Sequence, residues 1–265
     1  MSDQNTPSLF RLRVQYQKSG RLAYLGHLEL IHTIERIVRR AGLPYAVTQG
    51  FSPHMRIGFS SALPVGTSST CEWYDLFLTE LVPLMEAFDR LKSASPADLA
   101  PLSAGYINVR TPALTAQITR CDYLLTLNAS EDFSGCLTRL EPCLNAVRAL
   151  GSLPYQRGKK EKTIDLDRTL LAYDVVDLSS DGSCARIKLH TACDNDGALR
   201  PEILLVALDR ALCGNEILER PIVSTGIQDL VSIESYRVER TAQMVIDSEG
   251  NLEEPVSGAS YEHLV

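Results

Sequence analysis

Residues 10–17, FRLRVQYQ, alternate apolar and polar side chains with the period of two that marks a half-buried strand. The period changes in HLELIHTIERIVRRAG (27–42). There Leu30, Ile31, Ile34, Ile37, Val38 and Ala41 recur at helical spacing, and Gly42 with Pro44 ends the run. On a helical projection His32, Arg36, Arg39 and Arg40 gather opposite that stripe. His27 falls in the apolar sector, pointing to whatever sheet the helix covers. Strand-like runs follow at 55–60 and 72–79, then a helix led by Pro83 through LMEAFDRLKS, then a strand at 105–110. The order is βαββαβ.

The second half repeats it. Residues 120–128 read as a strand, and Ser130 caps a helix to residue 150 whose start Pro142 kinks or shifts. Strands are expected at 164–176 and 185–192, with a turn at DNDG. A helix then opens at Arg200-Pro201 and runs to Cys213, and a last strand covers 235–243. Two such passes predict an α+β chain of two tandem ferredoxin-like modules, each an antiparallel sheet covered on one face by helices. The expected division is 1–112, 113–245 and an acidic, flexible tail at 246–265.

Composition narrows the class. A chain of 265 residues with 45% apolar and 22% charged residues buries a real core and is not generally disordered. No apolar run approaches the roughly 20 residues of a membrane span, and the start of the chain lacks the pattern of a signal peptide. The seven cysteines are scattered, odd in number and never spaced CxxC. That predicts reduced thiols, a cytoplasmic protein and no structural zinc. His27 and His32 lie about 140° apart on a helix, a poor pair for a metal. Net charge is −7, but residues 1–60 carry eight Lys/Arg against three acids, a local +5; the remainder, with 18 basic and 30 acidic residues, is −12. Such asymmetry predicts a face for an anionic partner.

The candidate chemistry concentrates in TQGFSPHMRIGFS (48–60). Gly50 frees the backbone to turn and Pro53 fixes the approach to His54. His54 and Arg56, two apart on a strand, share one face. With helices on the other face they project from the open one, where ferredoxin-like RNA binders hold nucleotides. His27 enters from a helix start whose free amides suit a phosphate. Lys18, Arg39, Arg40 and Arg56 supply charge, with arginine suited to bidentate phosphate contact. Gln49 and Ser52 complete the expected set.

Residues 10–80 resemble the "radical SAM-linked protein" family, a domain of unknown function. The pattern K-x-G appears as Lys18 and Gly20, and the Y-L-G-H-L-D-like helix start as Tyr24 to Glu29. R-R-A-G-L-P spans Arg39 to Pro44, and Q-G-F-x-P-H spans Gln49 to His54. Glu29 stands where aspartate is usual, Met55 where a proline often follows the histidine, and Leu63-Pro64-Val65-Gly66 departs from P-L-x-x-G in order. KTIDLDRTL (162–170) and LRPEILLVAL (199–208) fit more loosely. The resemblance implies an accessory, substrate-presenting role beside a radical S-adenosylmethionine enzyme in RNA- or ribosome-related modification. The iron–sulfur cluster, S-adenosylmethionine and, in many cases, cobalamin would belong to that partner; this chain lacks CxxxCxxC and is expected to hold no cofactor.

Alternatives stay open. A metal-free RNA-processing enzyme would use Ser52, His54, His27 and Lys18 as acid–base groups. A structural docking subunit would instead present an apolar patch on residues 113–245. Each candidate also has a plain structural reading. His27 reads as a buried histidine bonded to a carbonyl, His54 as a turn cap, and Arg36, Arg39 and Arg40 as a solvated helix face. RGKKEK (157–162) reads as an exposed hairpin or loop, with nucleic-acid contact as the alternative.

Overall fold

A computed structural model describes residues 9–194, 197–224 and 230–256. The expected DNDG turn, at 195–196, and the end of the tail, 257–265, lie outside them. The chain is mixed α+β. Its elements are β1 (Phe10–Lys18), α1 (His27–Arg40), β2 (Ile57–Phe59), β3 (Ser68–Leu78), α2 (Leu84–Ala94), β4 (Pro101–Ile107) and α3 (Leu114–Gln117). They continue with β5 (Ile118–Ala129), α4 (Leu140–Arg148), β6 (Ser152–Arg157), β7 (Lys160–Asp165), α5 (Leu166–Thr169) and β8 (Leu170–Leu178). The last are β9 (Cys184–Asp194), β10 (Gly197–Ala198), α6 (Pro201–Leu212), β11 (Ile222–Val223), β12 (Ile233–Ile246) and β13 (Leu252–Glu253). None of the described helices is long and apolar enough to cross a membrane.

Two compact units divide the chain. One comprises residues up to 63, 68–118 and those from 244 onward; the other comprises 64–67 and 119–243. In the first, strands lie in the order β4-β1-β3-β2, every neighbour antiparallel. Alternation sends Leu12, Val14, Leu76 and Leu78 to one face, where Ile34, Ile37 and Val38 of α1 and Leu91 of α2 close over them. Each such side chain contributes about 1.5–3 kcal/mol by leaving water.

The other face departs from expectation, because its centre is not open. The odd positions of β1 bring Arg11 and Arg13 beside Asp75 of β3, and all three are buried. Asp75 accepts from Arg13 Nε at 2.7 Å and Arg11 Nη2 at 2.6 Å. Among the remaining donors, the Arg11 Nη groups reach the main-chain carbonyls of Val109, Thr111 and Pro112, and Arg13 reaches that of Pro255 at 3.0 Å, while Arg11 Nε has no partner among the described residues. Buried cations persist only when a counter-charge and hydrogen bonds replace most of the lost water. The tail expected to be flexible from residue 246 is therefore part of the fold as far as it is described: β13 pairs with the end of β12, and Pro255 is buried against Arg13.

In the second unit β9 pairs with both β5 and β8, and β5 neighbours β12. A separate three-stranded sheet, β11-β6-β7, accompanies it, and β6 has no counterpart in the expected order. Two expected elements are cut. Residues 131–133 and 136–139 form 3₁₀ turns, so the helix begins only at Leu140, with Pro142 in its first turn, where a missing amide costs nothing. The expected strand 164–176 breaks at α5 because the Asp165 carboxylate accepts from the Arg168 amide at 2.9 Å and caps a helical turn.

Candidate nucleic-acid interface

The opening loop is a narrow antiparallel arm. Val47 bridges to Met55, the Thr48 amide donates to the His54 carbonyl at 2.8 Å, and the Arg56 amide donates to the Ala46 carbonyl at 2.8 Å. Ala46 and Arg56 also bond to the main chain of Phe77, so the base of the arm extends the sheet beside β3. Met55 is buried and anchors the arm, while residues 49–53 form an exposed tip. Gly50 there has φ +138°, a conformation side chains with a Cβ rarely adopt. The His54 amide donates to Thr48 Oγ1 at 3.0 Å and squares off the turn.

The side chains of the arm point outward. Phe51 is fully exposed at the tip. Ser52 Oγ and His54 Nε2 lie 3.3 Å apart, both exposed, and Gln49 is exposed beside them. Arg56 lays its guanidinium 4.3 Å from the centroid of the Phe77 ring, whose centroid also lies 5.3 Å from Arg11. Asp75, the carboxylate nearest in register, is already engaged by Arg11 and Arg13. Arg56 thus keeps its positive charge facing solvent while its plane is held by an aromatic ring, an arrangement suited to a phosphate or a base.

The other expected residues do not join it. His27 sits half-buried at the first turn of α1 with its ring edge-on to Phe59, centroids 6.1 Å apart. Phe59 faces Tyr74 and the helices; Arg56, an odd number of residues away, faces the opposite side. The helix start is also unsuited to a phosphate, because Glu29 Oε2 accepts from the Gly26 amide at 2.8 Å and places a carboxylate there. Lys18 is buried and donates to the Ala23 carbonyl at 2.8 Å, tying down the 3₁₀ turn at 20–24. Arg39 pairs with Glu35 at 3.5 Å on an exposed face, and Arg40 donates to the Ala94 carbonyl at 2.7 Å, joining α1 to the end of α2.

Phe77 is not among the residues that sequence reasoning singled out. Alternation along β3 was the available signal: it sets Trp73, Asp75 and Phe77 on one face and Tyr74 on the other. Trp73 is buried, so only Phe77 remains reachable beside the arm. Among the described residues no group of three His, Cys, Asp or Glu side chains is placed to hold a metal, and all seven cysteines are free.

Fold and site together define an α+β protein bearing an aromatic-tipped, basic hairpin arm. The chain belongs to the family described as "Uncharacterized protein conserved in bacteria (DUF2344)", which matches residues 11–201. No curated protein matches it in sequence. Among solved structures, a chain of a Cbf5-Nop10-Gar1 complex is similar at a TM-score of 0.43 and 9% identity, over 88% of this chain and 48% of the other. This chain therefore spans about half the length of that one, and the likeness is too distant to bear on function.

Proposed function

We propose that the protein is a non-catalytic accessory factor that binds single-stranded RNA, or another phosphate-bearing substrate, through the arm at 46–56. The observation that carries this reading is Phe51. A large aromatic ring fully in water at the tip of a hydrogen-bonded arm adds nothing to folding, and a base can stack on it. Arg56 on Phe77 supplies the charge beside it, and Gln49, Ser52 and His54 supply hydrogen-bonding groups. The substrate would be presented to a radical S-adenosylmethionine enzyme, which the resemblance of residues 10–80 supports. That enzyme would carry the iron–sulfur cluster and, where present, cobalamin. Strand orders β4-β1-β3-β2 and β8-β9-β5-β12 support reading both units as ferredoxin-like modules, the second interrupted by the β6–β7 hairpin.

The enzymatic alternative is weaker. Ser52 and His54 approach within 3.3 Å, yet both are exposed and no carboxylate among the described residues orients the imidazole. Binding of a fluorescein-labelled single-stranded RNA by the parent, Phe51→Ala and Arg56→Ala proteins tests the reading. Loss of a stacked base costs about 1–3 kcal/mol, so Phe51→Ala is expected to weaken binding roughly 5- to 150-fold. Undiminished binding by both variants would sink the proposal.

A further inference from the structure

The β6–β7 hairpin carries a charge arrangement that its sequence, RGKKEK, does not reveal. Cross-strand register pairs Leu153 with Ile164, Tyr155 with Lys162, and Arg157 with Lys160. These three pairs share one face of the hairpin. The buried Leu153 and Ile164 root it, and Lys162, Arg157 and Lys160 continue the same face into solvent. Glu161, the one carboxylate of the run, pairs with Gln156 and lies on the opposite face. Alternation has therefore sorted the charges, with three cations on one side and the anion on the other.

Two further features show that the sorting is not incidental to folding. Arg157 and Lys160 stand directly opposite each other, a like-charge pair that a β-ladder tolerates only at a cost. No ion pair with a described carboxylate offsets it. Lys160 and Lys162 could serve simply to guard β7, the edge strand of the β11-β6-β7 sheet, against strand addition. That function does not account for Arg157 on the inner strand, or for Lys159 in the turn. The turn itself is a tight two-residue connection. Gly158 has φ +61° and Lys159 has no positive φ, the two-residue pattern with glycine first that matches strand twist. Lys160 and Lys162 are about 6.8 Å apart along the strand, comparable with successive phosphates of an extended single strand.

We propose that the face formed by Arg157, Lys160 and Lys162, with Lys159 at its tip, is a contact for the phosphate backbone of single-stranded nucleic acid. It belongs to the second unit, whereas the arm at 46–56 belongs to the first, and it reads charge rather than bases. The preset hairpin holds the cations in place before binding, which limits the ordering cost.

The test is the salt dependence of binding of full-length protein to fluorescein-labelled U20 RNA and to DNA of the same length. Lys160→Gln/Lys162→Gln is compared with Glu161→Gln, in the parent and in Phe51→Ala. Each lost phosphate contact reduces the steepness of log K against log salt by about 0.7, so the double variant is expected to reduce it by about 1.4 with either nucleic acid. Glu161→Gln, on the other face, is expected to leave the slope unchanged. The same decrement in the Phe51→Ala background would support the hairpin even if the arm proved inert. An unchanged slope in the double variant, or no binding by the parent at low salt, would overturn the proposal. A weakened Phe51→Ala protein with an unchanged hairpin slope would overturn it while leaving the arm's role standing.

Discussion

Asp75 is the residue on which the closed face of the first unit depends. Its carboxylate holds two buried guanidinium groups, and neither arginine has another carboxylate within reach among the described ion pairs. Asp75→Ala is expected to cost about 3–5 kcal/mol, read as a lower urea midpoint, because it leaves two cations buried without a counter-charge. Glu202 poses the opposite problem. It is buried at the start of α6, accepts from Thr67 Oγ1 at 3.2 Å through one oxygen, and has no partner for the other. Burial pushes its carboxyl up from the ordinary 4.5. The folded state therefore binds the proton more tightly than the unfolded one, and stability is lost as pH rises from about 4.5 through the raised value. Glu202→Gln is expected to flatten that fall and to raise neutral-pH stability by about 1–3 kcal/mol, measured by urea unfolding at pH 4 and pH 7. Neither residue stood out in the sequence, where each is one acid among 33.

At the scale of elements, two glycines separate backbone conformation from packing. Gly158 and Gly182 have φ +61° and +67°, so alanine at either is strained by about 1–2 kcal/mol. At Gly158 an added Cβ meets open space, whereas at Gly182 it would lie 2.9 Å from Gly135 Cα and 2.8 Å from Thr138 Cγ2. Gly182→Ala is therefore expected to destabilise beyond the strain value and Gly158→Ala to stay within it, the two compared by thermal unfolding. Equal losses would show that the close approach of the β8–β9 turn to residues 135–138 is not tight. Elements were legible wherever their signal was local. The period of α1 and the alternation of β1, β3, β5 and β9 placed those elements within a few residues of where they lie. The signal failed where a local hydrogen bond overrode the pattern, as at Asp165, and where a short strand such as β6 carried a proline and little alternation.

For the whole molecule, residues 247–256 matter more than an acidic tail would. They return to the first unit, where the Pro255 carbonyl takes a donor of Arg13 from 242 positions earlier. A chain ending at residue 246 is expected to lose about 1–3 kcal/mol, the cost of orphaning a buried donor, seen as a lower melting temperature. An unchanged melting temperature would mean that water replaces that carbonyl without penalty.

The sequence by itself determined the α+β class, the order of strands and helices in the first unit, and the turn at Gly50. Each rests on neighbours a few residues apart, whose side-chain period and backbone freedom are local properties. Only the tertiary structure decided which charges were available. Arg11 and Arg13 count among the eight basic residues of 1–60 and Lys18 was an expected phosphate contact, but all three are buried, Arg13 against a carbonyl 242 residues away. Arg56 stays exposed because Asp75, across the ladder, is already neutralised. Whether a charge meets water or a counter-charge depends on strand pairing between distant segments, and no local pattern encodes that pairing.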